Sequence, residues 1–545
     1  MTIHQIKRHG TALLILIGIS VLTIFPYFFK DSVFIQDDFL FHRTRLESYF
    51  QAVKQLDFFP RIFPNMGLYF GYAADLFYPS ILLLPFALFR LLGVSFVSSY
   101  YLYQLLISFA TAVSAYYFLY SIKRTQKTAL LFSCFYTLST YRLIDQSVRA
   151  ALGETLAFIF LPLLVLAVYS IFYTEKQRWQ LLAISMSLLI ASHLITAFYT
   201  VVFLVLFILL HWKKCKLAQL KSMIKAGFLT IGLSAWFLFP YLEQTAHLTF
   251  NFDKTDLWAS GLNFSLADLL TNSLANVSAP FSNLKPNIGL VLLVATLIAG
   301  FYYPKLTKTN KHLWLVTLFF LILTTNIFPW AILKNSIFAI IQFPWRLLLF
   351  ASFFASLLAA VLIEQFSLLT NKTMALAISF CALVTVGFNV NNSWQSTAEK
   401  SMTITNKNVN DFYESEIGHG KEYLVKDTDF KTFFAAPTMI IDDVSYPDSA
   451  NQTINKYQYS QYSVRINGVQ EVQLPKFYYK GYEVLDNQRK INNYNKNGLV
   501  TVRLSQGSHV LRISYKKTII QKSATLFSLL LVGFLCFKAV FKKHN

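Results

Sequence analysis

Charged residues, and acids in particular, are scarce in this chain. Among 545 residues there are 27 Asp and Glu against 48 Lys and Arg, and charged residues make up only 14% of the sequence. Hydrophobic residues make up 55%, and apolar runs of about 20 residues recur along the chain. The runs are continuous rather than alternating, which favours helices over a closed barrel. The composition therefore excludes an ordinary soluble domain and predicts an all-α protein that crosses a membrane many times.

Cysteines and nucleotide-binding motifs are also in short supply. The four cysteines lie in apolar runs or in a basic loop, and none lies in the polar segment 391–517, so neither a disulfide framework nor a zinc site is indicated. A phosphate-binding loop, a dinucleotide fingerprint and a nucleophile elbow are absent, so ATP is not an obvious energy source. The net charge of +21 comes with no nucleic-acid motif, which argues against nucleic acid and favours anionic lipid and phosphate-bearing substrates.

Lys and Arg in the short loops indicate one consistent orientation in the membrane. Lys7 and Arg8 hold the N-terminus in the cytoplasm, and the first apolar run lacks a small-x-small cleavage site, so we expect an uncleaved anchor. Both termini are then cytoplasmic, and the segments 30–96 and 391–517 lie outside. The pattern predicts about twelve transmembrane helices, at 11–29, 97–121, 129–144, 154–173, 179–194, 196–212, 226–241, 287–304, 312–328, 343–364, 373–390 and 519–541.

The apolar stretch 79–93 does not fit as a full crossing, because counting it would invert the basic loops that follow. We predict an interfacial helix there, lying on or dipping into the outer leaflet. Lys516, Lys517 and Lys522 are the remaining violations of the charge rule.

The polar segment 391–517 alternates apolar and polar residues in short stretches, as half-buried strands do. The clearest stretches are 462–468, 500–504 and 510–515. A small antiparallel β-sandwich outside the cell is the predicted form. The predicted domains are a transmembrane domain, a β-rich domain, and a last helix with a basic cytoplasmic tail, over residues 1–390, 391–517 and 518–545.

Two adjacent carboxylates, Asp37 and Asp38, follow the first predicted span on its outer side. Transfer of a sugar to a hydroxyl group needs a carboxylate that accepts the proton of the acceptor as the new bond forms. His42 and Arg43 follow within two helical turns and are candidates to contact the same substrate. Acids in such a position otherwise cap a helix or lie in solvent.

A second group of charged residues lies in the segment 141–154, at the next outer loop and the start of the fourth span. Asp145, Arg149 and Glu154 are spaced by four and five residues, so one helix can bring Asp145 and Arg149 together. Cationic groups are needed to hold the phosphate of a lipid-linked donor. Glu154 also lies favourably at a helix start. An ordinary interfacial ion pair is the alternative interpretation.

Arg346 and His193 complete the set of candidate substrate-binding residues. Arg346 opens the predicted span 343–364 at the same outer level, and its planar fork of donors suits a phosphate group. Trp and Arg at this position also anchor helices at the membrane interface. His193, near the outer end of the span 179–194, could donate a hydrogen bond to a substrate or to a neighbouring helix.

These residues together resemble a known superfamily. An early outer-loop Asp, the triplet Phe77-Tyr78-Pro79 before a semi-buried helix, and a basic turn after the next span resemble the GT-C glycosyltransferases. Members of that superfamily use polyprenyl- or dolichyl-phosphate sugars. The resemblance implies a GT-C-like transmembrane fold in which Asp37 or Asp38 acts as the general base.

More narrowly, the chain resembles the bacterial membrane proteins labelled 6-pyruvoyl-tetrahydropterin synthase-related and the YfhO-like proteins. The matching stretches are 141–154, 342–346, 422–424 and 478–484. The chain departs from the family pattern with Val425 where Pro is usual, Tyr482 where Trp is usual, and Asp486-Asn487 where Asp-Gly is usual. The resemblance implies decoration of cell-wall polymers such as teichoic acids, or of related surface glycans.

The sequence thus predicts a membrane glycosyltransferase that moves a sugar from a polyprenyl-phosphate donor to a cell-surface or cell-wall acceptor on the outer face. Asp37 or Asp38 is the expected base, and Arg149 and Arg346 are expected to hold the phosphate. No cofactor is certain, although adjacent carboxylates could hold a divalent cation. A transporter or flippase of a lipid-linked glycan and a non-catalytic partner in envelope assembly are the alternatives. Acids that cluster in outer loops rather than within spans favour the enzyme.

Overall fold

The fold is that of a computed structural model, which describes residues 3–251, 264–333, 335–411, 417–418, 421–426, 428, 438–442, 444–447 and 452–541. Helices make up most of this part of the chain, because long apolar runs satisfy their backbone groups best as helices. The helices, in chain order, are α1 (Ile3–Leu22), α2 (Phe39–Lys54), α3 (Ala74–Phe77), α4 (Leu84–Leu91), α5 (Phe96–Ser121), α6 (Gln126–Thr137), α7 (Thr140–Leu143), α8 (Leu152–Tyr173), α9 (Trp179–Ser192), α10 (Leu194–Leu210), α11 (Leu217–Thr245), α12 (Leu266–Ala275), α13 (Leu290–Phe301), α14 (Lys308–Leu323), α15 (Leu348–Gln365), α16 (Asn371–Ala398) and α17 (Ile519–Phe541).

Several of these helices are suited to a membrane. Six helices in the described residues are long and apolar enough to cross one: α5, α8, α11, α15 together with the turn before it, α16 and α17. Shorter apolar stretches lie in α1, α4, α9, α10 and α13. The predicted helical character of the chain is therefore confirmed and several of its helices fit a membrane, while the number of twelve crossings and their directions stay a prediction.

The strands of the described residues pair only in antiparallel ladders. They are β1 (Ser32–Phe34), β2 (Thr403–Thr405), β3 (Thr438–Ile441), β4 (Val444–Pro447), β5 (Gln452–Lys456), β6 (Tyr459–Ile466), β7 (Gln470–Phe477), β8 (Tyr482–Asp486), β9 (Arg489–Ile491), β10 (Tyr494–Lys496), β11 (Leu499–Leu504) and β12 (Gly507–Tyr515). β1 pairs with β2, and the others form two five-stranded sheets in the orders β10-β11-β7-β3-β4 and β5-β6-β12-β8-β9.

The chain divides into two compact units. The first unit comprises 1–42, 93–227 and 255–407, and the second comprises 43–92, 228–254 and 408–545. In the first unit α5 packs against α1, α6 and α8, while α15 packs against α6, α13 and α14. Small and hydroxyl-bearing side chains let these helices approach closely, and Ser108 and Ala112 of α5 are fully buried.

Within the first unit, the β1–β2 ladder fixes the chain just before the acidic pair. Val33 lies opposite Ile404, and both side chains are buried. Two residues after β1, the side-chain amide of Gln36 donates a hydrogen bond to the carbonyl oxygen of Ser147. The position of the residues that follow, Asp37 and Asp38, is thereby set relative to the loop before α8.

The second unit holds the C-terminal β-rich region that residue alternation predicts. The predicted strands at 462–468, 500–504 and 510–515 overlap β6, β11 and β12. In β12 the expected alternation is visible in burial, since Val510 is 39% exposed while Leu511 is fully buried. The two sheets contribute to one buried hydrophobic cluster, which includes Met439 and Leu474. Classification of this region as a sandwich stays a prediction.

The predicted interfacial segment 79–93 also contains a helix in the second unit. A 3₁₀ turn at Ile81–Leu83 leads directly into α4. Leu88, Leu91 and Leu92 are exposed on or just after this helix, as expected of a surface that faces lipid. Its depth in the membrane stays a prediction.

Candidate functional site

The acidic pair lies between β1 and α2. The carbonyl oxygen of Asp38 accepts a hydrogen bond from the His42 N–H (3.0 Å), and the Asp38 N–H donates to the carbonyl oxygen of Arg149 (2.9 Å). The Asp38 side chain is 45% exposed, and its Oδ2 lies 3.7 Å from Nη2 of Arg149. Main-chain and side-chain contacts therefore join the acidic pair to the 141–154 segment, which is far from it in sequence.

Asp37 is held by a different partner. Its Oδ1 accepts a hydrogen bond from the N–H of Phe281, in the loop between α12 and α13. Burial raises the pKa of Asp37 to about 6, and the charge of Asp38 adds to this effect, while the Phe281 N–H and the charge of Arg149 oppose it. A carboxyl group with a pKa near 6 exchanges protons readily close to neutral pH, as a general base must.

Arg149 lies at the centre of the charged residues. Its Nη1 contacts Asp145 Oδ1 directly and lies 3.0 Å from Glu154 Oε2, while Nη2 faces Asp38. Its guanidinium carbon lies 4.5 Å from the ring centroid of Trp345, and the side chain is 4% exposed. The guanidinium of Arg149 therefore contacts three carboxylates and the face of an aromatic ring. These contacts suit a residue that positions the acids, and the predicted binding of a phosphate by Arg149 stays a prediction.

The local backbone explains why Asp145 and Arg149 meet. Residues Ile144–Val148 form a π-helical turn, not the α-helical turn assumed from the spacing of four. The Arg149 N–H accordingly donates to the carbonyl oxygen of Ile144 (2.8 Å), five residues back. Ala150 then has a φ of +55°, a conformation that is costly for a residue with a side chain. Both features are often found at functional sites.

Asp145 and Glu154 are enclosed in the protein, with side-chain exposures of 0% and 1%. Oε1 of Glu154 accepts a hydrogen bond from the hydroxyl of Tyr141 (2.7 Å). Burial, and secondarily the nearby charge of Glu154, raise the pKa of Asp145 well above its usual range.

Arg346 lies beside Glu154 and has donor capacity that its contacts do not use. Its Nη1 donates to Oε1 of Gln342 (2.6 Å), whereas its Nε lies 3.9 Å from Glu154 Oε2, beyond hydrogen-bonding distance. Within the described part of the chain, neither the buried Arg346 Nε nor the buried Trp345 Nε1 has an acceptor. Buried donors without acceptors are uncommon in proteins, and an anionic ligand would satisfy these two.

His193 lies at a break between α9 and α10. Its backbone is extended, with φ −152° and ψ 105°, and its Nδ1 lies 2.7 Å from the hydroxyl of Thr196. Glu154 and Arg346 are both close enough to interact with it electrostatically. The structure therefore brings His193 to the same group of residues, and its contact with substrate stays a prediction.

The two remaining candidates follow the acidic pair on α2. His42 is buried, and its ring packs against Phe41 with centroids 5.4 Å apart. Arg43 is fully buried and belongs to the second unit, where its Nη1 donates to the hydroxyl of Thr44 (3.3 Å). The contact of His42 and Arg43 with substrate stays a prediction.

A second buried arginine supports the loop that carries Asp145 and Arg149. Nη1 of Arg142 donates to Oε1 of Gln146 (2.9 Å), and Nη2 donates to the hydroxyl of Ser108 on α5 (2.9 Å). This network of a guanidinium and neutral acceptors fixes the loop. Arg142 is thus a structural residue of the site rather than a ligand-binding one.

A small cavity of about 20 Å³ adjoins the residue that precedes the acidic pair. Polar side chains on its walls include Tyr27, Gln36, Tyr100, Gln104 and Gln146. Its volume is far below that of a small-molecule site. In the residues described, no group of three or more His, Cys, Asp and Glu side chains is arranged to hold a metal ion, and a divalent cation stays a hypothesis.

Sequence reasoning gave no functional role to Tyr141, Trp345 or Phe281, which contact Glu154, Arg149 and Asp37 respectively. Tyr141 and Trp345 lie in the stretches 141–154 and 342–346, which were chosen for their charged residues. The presence of an aromatic residue in each stretch was the signal that could have identified them. Phe281 acts through its backbone N–H, and no sequence pattern identifies such a group.

Fold and site together define a helical membrane protein in which an acidic pair adjoins a buried charged cluster. The family model of the bacterial membrane protein YfhO matches residues 62–407 of this chain. The chain therefore belongs to the YfhO family, as the resemblance implied. The matched range contains Arg149, Glu154 and Arg346, whereas Asp37 and Asp38 precede it.

A relative from Lactococcus lactis subsp. cremoris (strain MG1363), named "Uncharacterized protein", is 27% identical to this chain over 332 residues. The alignment covers 58% of this chain and 54% of the relative. The chain thus spans about half the length of the relative that it matches.

Proposed function

We propose that this protein transfers a sugar from a polyprenyl-phosphate donor to a cell-surface or cell-wall acceptor, at the outer face of the membrane. The observation that carries the proposal is the contact between the acidic pair and the buried cluster, through Asp38 and Arg149. This arrangement combines Asp37, whose pKa is about 6, with Arg346, which has an unsatisfied donor. A proton acceptor and a phosphate ligand are the two groups that such a transfer requires.

Asp37 is the general base in the proposed reaction. Its carboxylate accepts the proton of an acceptor hydroxyl while that oxygen attacks the anomeric carbon of the donor sugar. The bond from this carbon to the phosphate oxygen breaks, and the bonding electrons leave with the polyprenyl phosphate. Asp37 is favoured over Asp38 because its pKa is near 6 and because Asp38 faces Arg149.

Arg346 stabilises the negative charge of the leaving phosphate. Its guanidinium presents a planar fork of donors, and its Nε is available for one more acceptor. Arg149 orients Asp38 and Glu154, so it acts on the reaction through them. His193 contributes a ring close to Arg346, suited to a further hydrogen bond to the donor.

Replacing Arg346 with Gln is expected to raise the KM for the lipid-linked donor roughly 10- to 100-fold, since a hydrogen bond between charged groups is lost. The value of kcat should fall as well, because charge on the leaving phosphate increases in the transition state. Steady-state kinetics with a titrated donor lipid measure both. Arg124→Gln removes an arginine that pairs with Glu364 (3.0 Å) and serves as the matched control. Wild-type kinetics in the Arg346 variant would contradict the role.

The transfer rate is expected to depend on pH through Asp37. The base must be ionised, so the rate should rise as the pH increases through about 6 and level off at higher pH. Below this pH the rate should fall about tenfold per pH unit. Initial rates at saturating donor, from about pH 4.5 to about pH 8, give the profile. If the Asp37→Asn variant showed the same rise in rate with pH, a group other than Asp37 would be responsible for it.

Reconstitution of the full chain in proteoliposomes tests the proposed function itself. Lipid-linked sugars extracted from the producing bacterium serve as donors, and transfer of labelled sugar to extracted wall polymer is measured with and without a chelator. Transfer supports the proposal, and its loss on chelation would indicate a divalent cation. Movement of the lipid across the bilayer without transfer would support a flippase instead. If neither transfer nor lipid movement were detected, a non-catalytic role in envelope assembly would be favoured.

We further propose the membrane arrangement in which this reaction takes place. It has twelve transmembrane helices, a GT-C-like arrangement of the helices, cytoplasmic termini, and a β-sandwich within the outer segment 391–517, between the domains 1–390 and 518–545. The distribution of Lys and Arg supports this topology. The acidic pair would then lie at the depth of the lipid head groups, where a polyprenyl phosphate is presented.

A further inference from the structure

The second unit contains a basic pocket that the proposed reaction does not use. It has a cavity volume of about 190 Å³ and opens to solvent, so it suits a small or partly exposed ligand. Its walls come from residues 57–64, the β5–β6 hairpin, β7, β8 and the end of β12. We call it the lysine pocket, after the lining residues Lys456, Lys476, Lys516 and Lys517.

The charges of the lysine pocket do not balance. Asp57 is the only acid among the described residues of its lining, and its Oδ1 lies 2.6 Å from Nζ of Lys517. Lys456 and Lys516 are exposed. Lys476 is buried and donates to the carbonyl oxygen of Tyr69. A concave surface with an excess of one charge concentrates ligands of the opposite charge, so the pocket attracts anions.

Tyrosines supply the other part of the lining. The guanidinium carbon of Arg512 lies 3.8 Å from the ring centroid of Tyr459, which stiffens this side chain at the mouth of the pocket. Tyr482 and Tyr515 pack edge to face, with ring centroids 5.5 Å apart. Tyrosine presents an apolar ring face and a polar hydroxyl, and this combination suits the C–H and O–H groups of a sugar or polyol.

The position of two of these lysines in the predicted topology independently indicates a ligand in this pocket. Lys516 and Lys517 directly precede α17, and they are two of the three lysines that violate the orientation rule for an outer segment. Topology therefore does not explain their position. An anionic ligand on the outer face does explain it.

We infer that the lysine pocket binds a phosphate-bearing sugar or polyol. A phosphate group offers several strong acceptor oxygens and a charge for the lysine ammonium groups, while the tyrosines contact the carbon skeleton. The inference rests on residues of the second unit alone. It therefore stands or falls independently of Asp37 and of the transfer reaction.

Calorimetric titration of the full chain, in nanodiscs of neutral lipid, tests the inference with glucose 6-phosphate as the probe. We expect glucose 6-phosphate to bind, and uncharged glucose to bind at least about tenfold more weakly. The double variant Lys456→Gln/Lys516→Gln should bind glucose 6-phosphate at least about tenfold more weakly than the wild type. Lys456→Arg/Lys516→Arg keeps both charges and should retain most of the affinity.

A matched control removes the same charge from neighbouring strands. Lys490→Gln/Lys496→Gln changes residues of β9 and β10 that pair with Glu483 and Glu471, and it should bind like the wild type. Absence of binding, or an equal loss in this control, would overturn the inference.

A second arm of the experiment separates a soluble phosphate from a lipid head group. The Lys456→Gln/Lys516→Gln variant and the wild type are compared in nanodiscs that contain phosphatidylglycerol. Wild-type affinity of the variant for glucose 6-phosphate, with weaker binding to this lipid, would identify the lysines as head-group contacts and would also overturn the inference. Unchanged melting temperatures exclude a loss of fold as the cause.

Discussion

Replacing Asp37 with Asn is expected to lower the rate of sugar transfer roughly 100- to 10,000-fold, the contribution of a general base. Asn keeps the size of the side chain and can still accept the hydrogen bond of the Phe281 N–H, so the fold is preserved. It cannot accept the proton of an acceptor hydroxyl. Transfer rates in proteoliposomes, at matched amounts of folded protein, measure the effect.

Two further variants make the test of Asp37 specific. Asp31→Asn changes an exposed acid a few residues earlier and should leave the rate unchanged. Asp38→Asn weakens the contact with Arg149 and should lower the rate by less than Asp37→Asn does. If Asp38→Asn abolished transfer while Asp37→Asn retained it, the assignment of the base would be reversed.

Replacing Arg149 with Met is expected to have the largest effect on stability, about 3–5 kcal/mol. Met keeps the apolar contact with Trp345 but leaves the buried carboxyl groups of Asp145 and Glu154 without their cation. An uncompensated buried charge is what makes such a loss severe. Thermal unfolding of the purified protein in detergent, followed by tryptophan fluorescence, measures the change.

The control for this prediction is the arginine of an exposed ion pair. Arg124→Met removes a side chain that is 41% exposed and pairs with Glu364, so it should cost no more than about 1 kcal/mol. Adding Asp145→Asn to Arg149→Met removes one of the orphaned acids and should recover part of the stability. An Arg149→Met protein as stable as the wild type would contradict the central position given to Arg149.

The helices and the main strands of this fold could be predicted from the sequence, because both depend on local patterns. Continuous apolar runs mark the helices, and α5, α8 and α17 coincide with predicted spans to within a few residues. Alternation of apolar and polar residues marks β6, β11 and β12. β6 and β12 alternate in burial as well, whereas β11 buries nearly all of its residues.

The charged cluster was only partly predictable. The spacing of four residues between Asp145 and Arg149 indicated their ion pair, and the structure forms it, although on a π-helical turn. The contact of Arg149 with Asp38 joins residues that are far apart in sequence, and no local rule predicts it. The packing of the chain also determines that Arg149 contacts carboxylates whereas Arg346 keeps a donor without an acceptor.

The central claim is that Asp37 takes the proton during transfer of a sugar from a polyprenyl phosphate. Mass spectrometry of wall polymers and lipid-linked sugars tests it most directly, in a deletion strain complemented with either wild-type protein or Asp37→Asn. The account predicts that the deletion strain and the Asp37→Asn strain accumulate lipid-linked sugar and lack one sugar on a wall polymer, while the wild-type gene restores it. A polymer with its full sugar content in the Asp37→Asn strain would contradict the account.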